Sequence, residues 1–197
     1  MIEFFTLASD RLNLNGDQAN VFVLRKRLDW LGVASSVTEV APENFEAVAK
    51  ELVASPEGKF VMLGHGSKAA MGSFAEYADS IRSAALDLAS AGVSGLAVGS
   101  CYEMLCPDFK RIERVSDYAD VEANGGLPRT FGYVNTDTNL PVISLLGERF
   151  VVTMVHGPVF ARTPELADQM LFGLGVSVGT NANSVEADLY AEGARAH

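Results

Sequence analysis

Cysteine and histidine are scarce in this chain of 197 residues. It has two cysteines, Cys101 and Cys106, and three histidines, at positions 65, 156 and 197. Two cysteines are too few for a disulfide framework or a four-cysteine zinc site, and the histidines are scattered along the chain. We therefore expect no metal site, and we expect no cofactor.

Long apolar runs and positive charge are also lacking. No run approaches the roughly 20 apolar residues that span a bilayer, and the first ten residues, MIEFFTLASD, lack the features of a signal peptide. We expect a cytoplasmic protein without a membrane span. The formal net charge is −10, and neutralising phosphates needs clustered Lys and Arg, so no nucleic-acid partner is expected.

Apolar residues, by contrast, make up 48% of the chain, enough to fill the core of one domain. Short apolar runs alternate with stripes at helical spacing, a pattern typical of βα units around a mostly parallel sheet. Strands are predicted at 60–63, 96–98, 131–134 and 150–155, and helices at 17–31, 43–52, 74–88, 99–105 and 164–172. The prediction is a single three-layer α/β domain over 1–197, with loops or a sheet edge at 108–130 and a peripheral C-terminal tail at 173–197 that carries a short helix at 184–194.

Residues able to do chemistry follow three of the predicted strands, at the strand ends where open α/β sheets form their sites. Backbone amides are available around His65, a thiol at Cys101 and an imidazole at His156. These are the parts of a cysteine acyl-transfer site, in which a thiolate attacks an amide carbonyl and loop N–H groups hold the oxyanion. Taken singly, each part also has a plainer reading: a glycine turn, a small core cysteine and a loop histidine.

Several motifs, in a consistent order, resemble the class I glutamine amidotransferases of the CobB/CobQ type. Residues 13–20 (Asn-Leu-Asn-Gly-Asp-Gln-Ala-Asn), which run into a basic helix, are similar to the family's opening. Residues 63–66 stand where the family has its oxyanion glycines, and 129–132 resembles its Arg-x-x-Gly element. Residues 155–160, followed by the segment 164–168, are similar to the family's catalytic histidine and the helix after it. Within the family, the resemblance is strongest to the amidotransferase subunit of lipid II isoglutaminyl synthase.

The resemblance implies a flavodoxin-like α/β fold and a glutaminase that supplies ammonia for cell-wall amidation. Its substrate would be glutamine or a related small amide, and its partner a Mur-ligase-like or other ATP-dependent synthetase subunit. It implies Cys101 and His156 as catalytic residues. The implied oxyanion and substrate-binding residues are Gly64, His65, Gly66, Gly99, Ser100, Tyr102 and Arg129. Asp17 and Asn20 are predicted to be scaffold residues that cap the first helix.

The nucleophile segment departs from the family pattern Cys-Gly-Gly-Tyr-Gln-Leu-Leu. When residues 102–105 (Tyr-Glu-Met-Leu) are aligned with that pattern, Gly99 occupies the nucleophile position and Cys101 follows two residues later. A second alignment makes Cys101 the nucleophile of an elbow, with Glu103 where a small residue is needed. The first alignment predicts an impaired or repurposed subunit, a pseudoenzyme. The second predicts an active glutaminase that uses Cys101 with His156.

Overall fold

The computed structural model describes residues 1–122, 125–179 and 181–195. Its main sheet has six strands in the order β2-β1-β3-β4-β8-β7. These strands are β1 (Ile2–Leu7), β2 (Ser35–Val40), β3 (Lys59–Leu63), β4 (Ser94–Val98), β7 (Ile143–Leu146) and β8 (Phe150–Thr153). All neighbours pair in parallel except β7, which runs antiparallel to β8 at one edge. The predicted mostly parallel sheet is confirmed.

The central strands β3 and β4 are buried along nearly their whole length. Such continuous apolar runs are typical of parallel strands covered on both faces. Gly95 in β4 leaves room for the ring of Phe150, which lies where a side chain would stand. The edge strand β2 is mostly exposed and polar, which explains why apolar periodicity did not predict it.

Helices cover both faces of the sheet and complete three layers. They are α1 (Ala19–Trp30), α2 (Phe45–Ala54), α3 (Lys68–Gly72), α4 (Ala78–Ser90), α5 (Ser100–Leu105), α6 (Val159–Arg162), α7 (Pro164–Gly173) and α8 (Ala182–Arg195). Helix α2 packs against α4, whereas α1 packs with α6, α7 and α8. The strand order reverses direction after β2, so right-handed crossovers put α1 and α2 on opposite faces. None of the described helices is long and apolar enough to cross a membrane.

A second, smaller sheet carries one side of the candidate site. It is antiparallel and contains β5 (Arg111–Val121), β6 (Thr130–Thr138) and β9 (Val155–His156), in that order. The segment 108–130, predicted as loops or a sheet edge, thus contains an exposed edge strand, and its residues 123–124 lie outside the described part. Pairing of β9 with β6 sets His156 opposite Tyr133.

The segment 173–197, predicted as a peripheral tail, contains the 14-residue helix α8. Arg27 on α1 forms ion pairs with Asp168 on α7 and Asp188 on α8. Near the end of α8, Arg195 pairs with Glu165 at 2.9 Å. Position 180 and positions 196–197 of this segment lie outside the described residues. Helix α8 itself contacts α1 and α7 through these ion pairs.

Candidate functional site

The turn between β4 and α5 has the geometry of a sharp strand-to-helix elbow. Gly99 occupies it with φ 53° and ψ −112°. A positive φ of this size favours glycine, because a β-carbon is strained there. In enzymes with a nucleophile elbow, one residue on such a turn aims its side chain into the site. The residue on the elbow in this chain is therefore Gly99, and Cys101 lies in the first turn of α5.

The direction in which a side chain at position 99 would point is filled by two imidazole rings. A β-carbon there would lie 2.4 Å from His65 Nδ1 and 2.9 Å from His156 Cε1. The two rings meet edge to face with their centroids 4.6 Å apart. No side chain fits at this position unless His65 moves, because such contacts are far inside van der Waals distance.

His65 is held as a neutral imidazole. The Ser100 backbone N–H donates to His65 Nδ1 at 3.0 Å, so Nδ1 is the unprotonated nitrogen and Nε2 carries the proton. Burial, with a smaller contribution from His156, lowers the pKa of His65 to about 4. Protonation would place an N–H against the Ser100 N–H, which explains why the neutral form suits this position.

His156 is buried and both of its ring nitrogens have partners. Asn15 Nδ2 donates to His156 Nδ1 at 2.9 Å, and His156 Nε2 donates to the Asn135 carbonyl oxygen at 3.2 Å. The tautomer is inferred from these partners. Among the described residues there is no group of three or more His, Cys, Asp or Glu that could hold a metal ion. Both ring nitrogens of His156 are thus engaged in hydrogen bonds within the protein.

The backbone amides expected to hold an oxyanion are engaged within the protein. Gly66 N–H donates to Ser100 Oγ at 2.9 Å, and Ser100 N–H donates to His65. The remaining glycine of the loop, Gly64, packs against the chain after β1, since a β-carbon on it would lie 2.0 Å from the Leu12 carbonyl oxygen. An incoming carbonyl would have to displace these internal hydrogen bonds to reach the donors.

Asp17 and Asn20 are scaffold residues, as predicted, but they hold the site loops together and do not cap α1, so the predicted capping is wrong. The buried Asp17 carboxylate accepts from His65 N–H at 2.9 Å and from Gly157 N–H at 3.2 Å. Asn20 donates to the Gly157 carbonyl at 3.3 Å and accepts from Phe160 N–H at 3.0 Å. Burial raises the pKa of Asp17, while its hydrogen bonds and His156 oppose that shift. Helix α1 has no side-chain cap at its N-terminus.

Cys101 and Tyr102 belong to the core of the domain. The Cys101 side chain is fully buried, and burial, with a contribution from Asp17, raises its pKa to about 12. Burial also raises the pKa of Tyr102 to about 12. Because both nitrogens of His156 are bonded to asparagine groups, neither is joined to the Cys101 thiol. The catalytic pairing of Cys101 with His156 stays a prediction.

The structure brings together six of the nine predicted site residues and leaves three elsewhere. Those that meet are Gly64, His65, Gly66, Gly99, Ser100 and His156. Arg129 is exposed and pairs with Asp120 at 2.7 Å and with Glu122 at 3.9 Å. Its predicted role in substrate binding has no support from these contacts. Sequence reasoning missed the contacts of Asn15 and the Asn135 carbonyl with His156, for which the only signal was the asparagine-rich segment 13–20.

Comparison with known proteins supports the fold. Neither a protein-family model nor a curated protein matches the chain. Among solved structures, the chain is similar to the glutaminase domain of Trypanosoma brucei CTP synthase with bound acivicin. The two share a TM-score of 0.54 at 10% sequence identity, over 93% of this chain and 99% of that chain. The glutamine amidotransferase-like α/β fold is thereby confirmed.

Proposed function

We propose that this chain is a pseudo-amidotransferase, a subunit that keeps the amidotransferase fold and its site loops but does not hydrolyse glutamine. The observation that carries the proposal is the elbow at Gly99, whose side-chain space is occupied by the His65 imidazole. A glycine cannot supply the nucleophile of an acyl transfer.

Three requirements of glutamine hydrolysis are unmet at this elbow. The chemistry needs a nucleophilic side chain in the site, a base within reach of it, and free N–H donors for the oxyanion. Gly99 has no side chain. His156 uses both nitrogens on asparagine groups. The N–H groups of Gly66 and Ser100 are bonded to a hydroxyl and an imidazole of the protein itself.

The alternative is an active glutaminase that uses the displaced Cys101 with His156. The burial of Cys101 works against it, because a thiol with a pKa of about 12 has almost no reactive thiolate near neutral pH. Using it would require the sulfur to leave this fully buried position and come within reach of His156, whose two ring nitrogens have other partners.

A subunit of this fold that does not hydrolyse glutamine can still bind a partner, and we propose that this chain is a partner-binding subunit of the CobB/CobQ type. We take the partner to be a Mur-ligase-like or other ATP-dependent synthetase subunit in cell-wall amidation. The support is that the two motif segments carrying the resemblance touch through specific side chains. Asn15 contacts His156, Asp17 contacts Gly157, and Asn20 contacts Phe160.

Ammonia release from glutamine tests the proposal directly. The chain is incubated with glutamine, alone and with a Mur-ligase-like subunit, beside the Cys101→Ala variant. We expect the wild-type chain to release no more ammonia than Cys101→Ala under either condition. Ammonia release that Cys101→Ala abolishes would show an active glutaminase and overturn the proposal.

Thiol labelling tests the same point without relying on turnover. Cys106 is a matched control, because it is only half-buried and both thiols are free. Treatment of the folded chain with iodoacetamide, followed by mass spectrometry, should label Cys106 well before Cys101. Faster labelling of Cys101 would indicate an activated thiol and favour the glutaminase.

A further inference from the structure

A groove with apolar walls runs between α1 and α8, apart from the elbow. Its volume is about 440 Å³, and α6 contributes Phe160 and Arg162 to its lining. The wall formed by α1 includes Phe22, Lys26 and Trp30, which repeat every fourth residue and so lie on one side of the helix.

Short side chains on α8 keep the groove open. Ala187, Ala191 and Ala194 line it at spacings of four and three, so they form one stripe along the helix. Side chains of ordinary core size on this stripe would reach α1 and close the gap, as helices usually do when they pack. The groove is therefore a gap between the facing sides of α1 and α8 that side chains of a partner can enter.

Two exposed aromatic rings flank this opening. Phe22 on α1 is 66% exposed and Tyr190 on α8 is 75% exposed. Isolated apolar residues on a surface need no explanation, but large rings on both walls of an apolar groove mark an interaction site. Because these walls are so exposed, we expect them to be covered by a partner protein. A small molecule would need a more enclosed site.

The positive charge of the side chains that line the groove indicates an acidic partner. Of the three cationic residues that line it, Arg27 is paired with Asp168 and Asp188. The other two, Lys26 and Arg162, form no ion pair with a described residue. Arg162 instead lies over the Tyr118 ring, 5.2 Å from its centroid. The whole chain has a net charge of −10, so a groove bordered by two cations is complementary to an acidic segment and unlike the rest of the surface.

We infer that this groove binds an acidic amphipathic helix of a partner protein. Apolar residues of that helix, spaced at three and four, enter between Phe22 and Tyr190 over the alanine stripe. Its carboxylates face Lys26 and Arg162. The inference goes beyond the proposed loss of hydrolysis and does not depend on it, because none of these residues lies on the elbow.

Trp30 provides the measurement, since it is the only tryptophan of the chain and lines the groove. The probe is a tryptophan-free synthetic helix of about five turns, with leucines on one face and glutamates on the other. A second peptide has lysines in place of the glutamates. We expect a saturable change in Trp30 fluorescence with the glutamate peptide and a much weaker response to the lysine peptide.

Variants place the binding in the groove. Phe22→Ala and Tyr190→Ala should each weaken binding about tenfold or more, because interface aromatics carry much of the binding energy. Lys26→Glu should reduce the preference for the glutamate peptide. Phe172→Ala is the matched control, because Phe172 is 76% exposed on α7 and does not line the groove. Far-UV circular dichroism establishes that the variants remain folded.

Several results would overturn the inference. They are the absence of a saturable response to the glutamate peptide, equal binding of the lysine peptide, or an equal loss of affinity in Phe172→Ala. Saturable binding of palmitate that displaces the peptide would identify a small amphiphile as the occupant instead. Self-association of the chain that Phe22→Ala abolishes would identify a second copy. The ammonia assay is unaffected by any of these results, so failure of this inference is distinguishable from failure of the proposed function.

Discussion

At position 99, two separate constraints act on one residue. The positive φ of the elbow favours glycine, and the imidazoles of His65 and His156 occupy the space beyond its α-carbon. The positive φ is also found in active enzymes with a nucleophile elbow, whose nucleophilic residue sits on a strained turn. The second constraint is particular to this chain, because His65 accepts the Ser100 N–H from within that space.

A cysteine at the elbow should be poorly tolerated unless His65 is also changed. Gly99→Cys brings a β-carbon to 2.4 Å from His65 Nδ1, and we expect a loss of about 1–3 kcal/mol from overpacking and strain. The double variant Gly99→Cys/His65→Ala should recover part of that loss. Urea unfolding of the four proteins of this cycle gives the coupling free energy.

The control for the elbow variant is Gly32→Cys. Gly32 has φ 70° and open space where its β-carbon would lie, so this variant reports strain without crowding. A coupling near zero in the cycle, or an equal loss in Gly99→Cys and Gly32→Cys, would show that His65 does not fill the elbow.

The depressed pKa of His65 makes stability depend on pH in a defined window. The ordinary pKa of 6.5 applies to the unfolded chain and about 4 to the folded chain, so the unfolded state binds more protons between these values. Stability is therefore fully present above pH 6.5 and decreases as the pH falls towards 4. Chemical denaturation at a series of pH values should show that His65→Asn, which keeps an acceptor for Ser100 N–H, loses less stability across this window than the wild type. Parallel curves for the two proteins would contradict this pKa.

At the scale of whole elements, polarity and burial decide which segments were predictable. Sequence patterns detect strands β3 and β4 by their apolar runs. They detect helix α7 by Pro164, a residue favoured at the first position of a helix. The edge strands β2 and β5 are largely exposed, so their pairing leaves little trace in the apolar pattern. Helix α8 was predicted at 184–194 and spans Ala182–Arg195, so the prediction placed it to within two residues at each end.

Arg27 should make the main contribution to holding α8 against the rest of the domain. Its side chain is 6% exposed and pairs with Asp168 and Asp188, whose side chains are 35% and 31% exposed. Because solvent screens the two carboxylates in part, we expect the loss of this arginine to cost about 1–2 kcal/mol. Arg27→Met should therefore destabilise the chain and speed hydrogen exchange of the amides in α8. Lys26→Met is the matched control, since Lys26 is exposed on the same helix. Unchanged exchange in α8 of Arg27→Met would mean that apolar contacts alone hold this helix.

At the scale of the whole molecule, the sequence predicted the architecture but not the arrangement within the site. Alternation of strands and helices is sufficient for a three-layer α/β fold, and strand order then gathers the loops of His65, Gly99 and His156. The sequence could not show that His65 turns into the elbow or that Cys101 turns into the core. Each depends on contacts between residues far apart in the chain, such as the hydrogen bond from the Ser100 N–H to His65.

The two sheets should differ in local stability. Strands β3 and β4 are buried in the middle of the main sheet, whereas β5 is an exposed edge of the small sheet. Because exposed, weakly packed elements open at low free energy, native-state hydrogen exchange should release the amides of β5 first and those of β3 and β4 last. Equal protection of β5 and β4 would indicate that the molecule opens only as one unit.

The crowding at Gly99 also has an evolutionary consequence. For a glycine encoded by GGT or GGC, one base change in the gene yields cysteine, so the step towards a thiol at the elbow is short. The protein carrying that change alone would have a sulfur-bearing residue pressed against His65. A second change at position 65 would have to come first or arrive with it, and a replacement there that has no acceptor of its own leaves the Ser100 N–H unpaired. Each of the two substitutions alone lowers the stability of the protein, and only both together can give a nucleophile at the elbow. Glycine at position 99 is therefore expected to persist during evolution.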